Sequence, residues 1–134
     1  MKKRAIESRV EQVYQIRPEH LNVAGRLFGG RLMELIDEVA GLVGIRHSQS
    51  NVITASVDNL KFIRGVYQND LVVLVGTLTW VGNTSMEVRV DTYVEKLDGT
   101  RYPVNRAYLT LVAVDNNGKP TKVPGLLIES IGQQ

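Results

Sequence analysis

The 134-residue chain contains no cysteine and only two histidines, His20 and His47. Without cysteine, neither a disulfide nor a thiolate metal site can form, and two scattered histidines do not predict a zinc site. We therefore expect no metal and no bound cofactor. Since disulfide frameworks belong to oxidising compartments, their absence favours a cytoplasmic protein.

Long apolar segments are also missing from the sequence. The basic start, Met1 to Arg9, is followed by no apolar stretch of the kind found in a signal peptide. No apolar run is long enough to span a bilayer, so we expect no membrane partner. The net charge is only +2 and the basic residues are scattered, which argues against nucleic acid as a partner.

What the chain does contain fits one folded domain, residues 1–134. Its hydrophobic content is 43% and its charged content 22%, which is ordinary for a globular protein. A chain of this length can bury roughly two-thirds of its unfolded surface without staples. The polar, weakly patterned segment after about residue 120 is expected to be a flexible tail.

Hydrophobic periodicity predicts one strand, one long helix and then four more strands. The helix spans about Phe28 to His47. The predicted strands are Val10 to Ile16, Ile53 to Phe62, Leu71 to Val81, 86–95 and Tyr102 to Asp115. Short turn signals connect the later strands, so we predict an α+β fold in which an antiparallel sheet wraps one helix. Its open edge favours pairing of two subunits.

A glycine pair, Gly29-Gly30, stands at the start of the predicted helix. The first backbone N–H groups of a helix have no intrahelical acceptor and lie at the positive end of its dipole, which suits an oxyanion. The apolar face predicted to pack in the core comprises Phe28, Leu32, Leu35, Ile36, Val39 and Val43.

Asp37 belongs neither to that apolar face nor to the charged face opposite. Its neighbours along the helix axis are Gly30, Met33, Gly41 and Gly44. Because glycine within a helix costs about 1 kcal/mol relative to alanine, this track of small residues predicts close approach of a ligand or a partner backbone. The alternative is an exposed surface aspartate with incidental glycines.

Several sequence motifs, spread over nearly the whole chain, resemble one known family. They are HLNVAGRLFGG at 20–30, the helix segment 32–40 with Asp37-Glu38, VITASVD at 52–58, GNTSMEV at 82–88 and RAYLTLVAVD at 106–115. In this order they resemble the hotdog-fold acyl-CoA thioesterases, specifically the acyl-CoA hydrolase branch. Each motif alone is weak, and their agreement makes the resemblance specific.

The resemblance implies a hotdog fold, a five-stranded antiparallel sheet wrapped around one long central helix. It also implies homodimers with shared active sites, often assembled as trimers of dimers into homohexamers. By position, Asn22 matches the family's loop asparagine, Asp37 its catalytic carboxylate, and Gly29 with Gly30 its oxyanion-binding turn. Asn22 and Asp37 are expected to act from different subunits.

The activity so implied is hydrolysis of fatty acyl-CoA to free acid and coenzyme A, which is part of the substrate and not a cofactor. Gly29, with Gly30 second, would donate N–H groups to the acyl oxygen. Asp37 would act either as general base toward water or as a nucleophile that forms an anhydride. Asn22 would orient the water or the carbonyl.

Coenzyme A also needs contacts for its pantetheine arm and phosphates. Thr84 and Ser85 follow a turn and offer hydroxyl groups, although ordinary turn chemistry also explains them. Arg106 offers a cation for phosphate or, alternatively, for a surface ion pair. Thr54 shares a predicted strand face with Asp58 that either reaches the site or pairs across the dimer.

Two other functions are compatible with the fold. A hotdog hydratase or dehydratase would use a histidine close to the site, and none lies between Gly25 and Asp37. A non-catalytic sensor of acyl-CoA or nucleotide would bind ligand without releasing a thiol.

Overall fold

A computed structural model describes residues 2–27 and 29–127 of the chain. One long helix, α1 (Gly29–Ser48), packs against a five-stranded sheet. The sheet strands are β2 (Val10–Gln15), β3 (Asn51–Asp58), β4 (Leu71–Val81), β5 (Ser85–Glu95) and β6 (Arg101–Val114). Two short strands, β1 (Lys2–Lys3) and β7 (Gly125–Leu126), pair in parallel beside it.

The main sheet is antiparallel throughout, with spatial order β2-β4-β5-β6-β3. The predicted hotdog architecture, a five-stranded antiparallel sheet around one helix, is therefore confirmed. β2 and β3 are the edges of the sheet, and each has only one neighbouring strand. No helix in the described residues is long and apolar enough to cross a membrane.

The core lies between α1 and the face of the sheet that the helix covers. The described residues of the predicted apolar helix face are all buried: Leu32, Leu35, Ile36, Val39 and Val43. Phe28, also predicted for this face, lies outside the described residues. Burial alternates at the start of β5, since Met86, Val88 and Val90 are fully buried while Glu87 and Arg89 between them are partly exposed.

Gly76 in the middle of β4 lets the helix approach the sheet closely. A Cβ at this position would lie 2.8 Å from both Val39 Cγ1 and Val43 Cγ2. The strand stays in register with its neighbours at Gly76, and its irregularity falls between Leu78 and Trp80 instead. The glycine thus serves helix packing and not a bend of the strand.

β3 is shorter than predicted and carries a bulge. It ends at Asp58 rather than Phe62, because Asn59 adopts a positive φ of 64° and turns the chain away. The register also shifts between Thr54 and Ser56, so the predicted alternation breaks at Ala55. Residues 59–70 form an irregular connection to β4, which we call the strap.

The C-terminal segment returns across the domain as far as residue 127. Thr121 N–H donates to the Ala113 carbonyl at 2.9 Å, and Val123 is buried. His47, fully buried near the end of α1, hydrogen-bonds through Nε2 to the Pro124 carbonyl oxygen at 2.7 Å. These contacts fall in the first part of the expected flexible tail, and its remainder, 128–134, lies outside the described residues.

Replacing Gly76 by alanine is expected to lower the free energy of unfolding by about 1–3 kcal/mol, because the new methyl group overlaps two stiff valines. Urea denaturation of the purified proteins measures the change. Thr77→Ala, on the opposite face of the same strand, is the control and should cost less than about 1 kcal/mol. Equal losses in the two variants would contradict the packing role of Gly76.

Candidate active site

The start of α1 presents backbone donors beside the preceding loop. The helix begins at Gly29, so the N–H groups of its first turn have no acceptor within the helix. A Cβ on Gly29 would lie 3.6 Å from Phe62 Cε2 of the strap. The strap therefore runs directly past the donors that were predicted to bind an oxyanion.

Asn22 organises the loop that leads into the helix. Its Oδ1 accepts hydrogen bonds from Ala24 N–H at 2.9 Å and from Arg26 N–H at 3.2 Å. Gly25 closes the turn at a φ of 78°, a conformation that glycine adopts without strain. Because both lone-pair directions of Oδ1 are occupied by the loop, the Nδ2 amino group is what Asn22 can offer to a substrate.

Asn22 and Gly29 line one open cavity of about 340 Å³, which we call the Asn22 cavity. Its other lining residues are Arg26, Leu27, Leu32, Phe62, Ile63, Arg64, Gly65 and Val66. The floor contains buried apolar side chains, and two arginines lie in the wall. The cavity can therefore accept an uncharged arm that ends in an anionic group.

Asp37 and Thr54 meet in a different place. The Thr54 hydroxyl donates to Asp37 Oδ1 at 2.6 Å. Because of the bulge at Ala55, Thr54 and Val57 both face the helix, and both line the cavity beside Asp37. The prediction that Thr54 and Asp58 share one strand face is therefore wrong. Thr54 reaches the carboxylate, but the bulge after it reverses the faces of the residues that follow, so Asp58 no longer lies on the same face.

The Asp37 cavity is open and largely apolar, with a volume of about 410 Å³. Its other lining residues are Gly30, Met33, Glu34, Ile36, Thr54, Val57, Leu60 and Leu109. Met33, Val57 and Leu60 are more than a third exposed although their side chains are apolar. A surface of this kind is suited to an acyl chain or to the apolar face of another subunit.

The track of small residues beside Asp37 has two different explanations along its length. At Gly44 a Cβ would lie 2.7 Å from Leu111 Cδ1, so the sheet itself requires the glycine. A Cβ on Gly41 would meet no atom of the described residues within 4 Å. Gly41 is therefore left open to a ligand or partner, whereas Gly44 is covered by the sheet.

Among the described residues, the two cavities share no lining residue. Gly29 and Asp37 are eight positions apart, which corresponds to about 12 Å along the helix axis. A single thioester carbonyl cannot lie within hydrogen-bonding distance of both. The predicted catalytic residues therefore form two half-sites in one chain, Asn22 with Gly29 and Asp37 with Thr54, and Gly30 adjoins both because it follows Gly29 and lines the Asp37 cavity.

Within the chain, Thr84 and Ser85 lie far from the half-site that contains Gly29. Ser85 is paired opposite Val112, next to the residue that contacts Gly44. The Thr84 carbonyl accepts from Ala113 N–H at 2.9 Å. Gly44 is fifteen positions beyond Gly29, about 22 Å along α1. One chain alone does not bring these hydroxyl residues to the predicted oxyanion site.

Arg106 lies on the face of the sheet away from the helix and is held by a carboxylate. Its Nε donates to Asp91 Oδ1 at 2.5 Å, and Arg89 Nε donates to Asp91 Oδ2 at 3.0 Å. The hydrogen bond to Asp91 raises the pKa of Arg106 above its ordinary value. Of the two roles considered for Arg106, the structure provides the ion pair.

Neither histidine lines the Asn22 or the Asp37 cavity. His20 Nδ1 accepts a hydrogen bond from Arg17 N–H at 3.1 Å, and His47 is buried against the C-terminal segment. The described residues contain no group of three or more His, Asp or Glu side chains that could hold a metal ion.

The strap is a part of the site that the sequence did not predict. Residues 62–66 line the Asn22 cavity, although 59–62 were assigned to a strand. The sequence signal was present, because Asn59, Lys61, Arg64 and Gly65 interrupt the apolar alternation. The Asn105 side chain fastens the strap by donating to the carbonyls of Asn59 and Lys61, both at 2.9 Å.

Comparison with known proteins identifies the family. A model of the thioesterase superfamily matches residues 24–99. The chain belongs to the thioesterase superfamily. The resemblance seen in the sequence motifs is thereby confirmed, and the match includes α1 with Asp37 and the strap.

A relative within this superfamily is an acyl-CoA thioester hydrolase of Bacillus subtilis, itself named as uncharacterized. It is 40% identical over 125 residues, which is 92% of this chain and 73% of the relative. Among solved structures, a hexameric acyl-CoA thioesterase in its apo form superposes with a TM-score of 0.89 at 36% identity. The superposition covers 97% of this chain and 84% of that one.

A Staphylococcus aureus acyl-CoA hydrolase, solved with butyryl coenzyme A and coenzyme A, is 33% identical with a TM-score of 0.89. The superposition covers 97% of this chain and 80% of the Staphylococcus aureus chain. Three variants of that enzyme were also solved, each with one residue replaced by alanine. The replaced residues are an asparagine, an aspartate fifteen positions later and a threonine seventeen positions after that.

From the Thr54–Asp37 hydrogen bond we predict how replacing Thr54 changes the turnover of this superfamily member. Thr54→Val keeps the side-chain volume and removes the donor, so kcat should fall about tenfold, the usual effect of losing a hydrogen bond to a charged group. Thr54→Ser keeps the donor and serves as the matched control. Steady-state kinetics with an acyl-CoA substrate measures both, and equal losses in the two variants would show that the hydroxyl is not the active feature.

Proposed function

We propose that this protein hydrolyses fatty acyl-CoA thioesters, with the helix-start N–H of Gly29 as oxyanion donor and Asp37 as the reactive carboxylate. The observation that carries the proposal is the Asp37 carboxylate held by Thr54 at 2.6 Å inside a largely apolar, open cavity. It combines a positioned base with a surface that suits an acyl chain.

The class of reaction follows from the family. Its relatives are named acyl-CoA thioester hydrolases, and its structural neighbours are acyl-CoA thioesterases and hydrolases. The chain is therefore an acyl-CoA thioester hydrolase. The finer assignment of a fatty acyl group rests on the apolar residues around Asp37, above all Met33, Val57 and Leu60.

The residue roles are supported by spacing. Asn22, Asp37 and Thr54 are separated by fifteen and seventeen positions. The asparagine, aspartate and threonine replaced in the Staphylococcus aureus hydrolase have the same separations. Three polar residues of matching type and spacing in proteins of the same fold favour a common site.

Thioester hydrolysis places negative charge on the acyl oxygen in the transition state. A fixed N–H donor at that oxygen contributes on the order of 3 kcal/mol. Gly29 N–H, with Gly30 N–H second, meets this requirement, because both lie in the first turn of α1 and have no intrahelical acceptor. Asn22 Nδ2 adds a donor for the carbonyl or the attacking water.

Asp37 completes the reaction by one of two routes, and its Oδ2 is the atom that acts because Oδ1 accepts from Thr54. As a general base, Oδ2 takes a proton from water while the hydroxide oxygen attacks the acyl carbon, and the proton passes to the departing sulfur. As a nucleophile, Oδ2 attacks the acyl carbon, the thiolate leaves, and water hydrolyses the anhydride.

A complete site requires two subunits. The two half-sites lie about 12 Å apart along one helix, so Asn22 and Gly29 of one subunit must combine with Asp37 and Thr54 of another. β3 is an edge strand, so one side of its backbone has no partner strand among the described residues, and pairing two such edges satisfies both. We propose a homodimer built this way, assembled further as in the hexameric structural neighbours.

A non-catalytic acyl-CoA or nucleotide sensor on the same fold is the second candidate. A sensor needs the cavities in order to bind its ligand, but it does not need a carboxylate that is held by a hydroxyl group. A hydratase is disfavoured, because His47 is buried against Pro124 and His20 bonds its own turn.

Asp37→Asn should lower kcat at least 10²-fold, and by as much as about 10⁴-fold, because the amide can act neither as base nor as nucleophile. The measurement is thiol release from acyl-CoA esters of increasing chain length, followed with a chromogenic disulfide reagent. The chain has no cysteine and adds no background. Glu38→Gln, on the charged face of the same helix, is the matched control and should keep wild-type turnover.

Near-normal turnover by folded Asp37→Asn would remove Asp37 from the mechanism. No thiol release from any ester by the wild-type protein, with coenzyme A binding retained, would favour the sensor.

Subunit complementation tests the shared site. Asn22→Asp keeps the oxygen that organises the loop but removes the Nδ2 donor, so it and Asp37→Asn should each be inactive. After the two variants are unfolded together and refolded, half of the dimers are mixed, and each mixed dimer holds one intact site. About a quarter of wild-type activity should return.

The control for complementation is each variant refolded alone, which should stay inactive. If the mixture gains nothing while mixed dimers are detected by native mass spectrometry, both half-sites act within one chain and the proposed arrangement is wrong.

A further inference from the structure

We propose that Arg26 and Arg64 form the subsite for the phosphate groups of coenzyme A, at the mouth of the Asn22 cavity. This inference rests on the proposed function and assigns the anionic end of its substrate. It differs from the sequence-based prediction, in which Arg106 supplied the cation.

Both arginines line the cavity that contains Asn22 and Gly29. The same cavity is also lined by buried apolar side chains, since Leu27, Leu32 and Val66 are at most 8% exposed. A ligand that fills this cavity combines an uncharged arm with an anionic end. The pantetheine arm of coenzyme A followed by its phosphates has that order of groups, with the thioester at the inner end.

Neither guanidinium is neutralised by a carboxylate of the described residues. Arg26 Cζ lies 5.9 Å from the centroid of the Tyr67 ring, and Arg64 Cζ lies 5.1 Å from that of Tyr102. Aromatic faces attract a cation without cancelling its charge. The two positive charges are therefore held in place and remain available to an anion.

Arg26 is tied to the catalytic loop through its backbone. Its N–H donates to Asn22 Oδ1, and its carbonyl accepts from Asn22 N–H at 2.8 Å. Arg26 also forms a β-bridge with Tyr67, and Leu27 N–H donates to the Val66 carbonyl at 2.7 Å. A phosphate bound by Arg26 is thus at a fixed position relative to Asn22.

Arg64 is positioned by β6 through the strap. Its Nε donates to the Pro103 carbonyl at 3.2 Å, and the neighbouring Ile63 N–H donates to the Val104 carbonyl at 2.9 Å. With Nε engaged, the two terminal amino groups of the guanidinium are the donors that remain. They form the paired donors that suit two oxygens of one phosphate.

Arg106 is less suited to this role. Its charge is already paired with Asp91, which is 6% exposed and also accepts from Arg89. Binding a phosphate at Arg106 would place a second anion beside a buried carboxylate. The unpaired positive charge therefore lies beside Asn22, whereas the charge of Arg106 is already paired.

The test compares two substrates that carry the same acyl group, an acyl-CoA and the corresponding N-acetylcysteamine thioester, which has no phosphate. For Arg26→Gln/Arg64→Gln, KM for acyl-CoA should rise at least about tenfold, as expected for loss of charge-assisted hydrogen bonds. Its kcat and its kcat/KM for the short thioester should stay near wild type. The single variants should each show part of the change.

Arg46→Gln, with the same charge change near the other end of α1, is the control and should leave both substrates unaffected. Arg106→Gln is the competing variant. The proposal is overturned if the phosphate-dependent rise in KM appears with Arg106→Gln and not with Arg26→Gln/Arg64→Gln. It is also overturned if the double variant loses both substrates equally, because that result indicates general damage to the site.

Calorimetry with coenzyme A and with pantetheine separates this inference from the proposed function. Weaker binding of coenzyme A alone in the double variant supports the phosphate subsite, even if the wild-type protein releases no thiol. Hydrolysis by the wild type with unchanged coenzyme A affinity in the double variant supports the enzyme and removes the subsite.

Discussion

The close packing of α1 on the sheet is the constraint on which the rest of the structure depends. Gly76 lets the helix approach β4, and one apolar face of the helix is buried along its length. Helix rotation and translation are thereby determined, so Gly29 and Asp37 are held at a separation of about 12 Å. A catalytic arrangement that needs both groups at one carbonyl cannot form in one chain, which is the reason for proposing a site shared by two subunits.

The edge strand β3 supplies side chains to the cavity around Asp37. A regular strand would point Thr54 and Val57 to opposite faces, whereas the bulge at Ala55 brings both to the helix side. The hydroxyl then reaches Asp37, and the apolar side chain lines the same cavity. The bulge therefore places a polar and an apolar side chain, both of which thioester cleavage would use, on the same side of one strand.

Much of this arrangement could be predicted from the sequence, because periodicity and turn signals report on local contacts. The helix, the sheet strands, Gly29 and Asp37 come from such patterns, whereas Asn22 and the catalytic roles were implied by the family resemblance. The bulge, the strap and the ion pair of Arg106 depend on contacts between residues distant in sequence. Asp91 and Arg106, fifteen positions apart on neighbouring strands, become partners only through the β5–β6 register, which one alternating pattern does not specify.

The distribution of charge distinguishes structural cations from those that can bind substrate. A guanidinium that already pairs with a nearly buried carboxylate would leave that carboxylate uncompensated if it turned to a ligand, and such a loss is costly. A guanidinium that rests on an aromatic ring loses little when a phosphate approaches, since the ring stays in contact while the free N–H groups turn outward. Arg106 is of the first kind. Arg26 and Arg64 are of the second kind, and they line the same cavity as Asn22 and Gly29, where the proposed function places the substrate's arm.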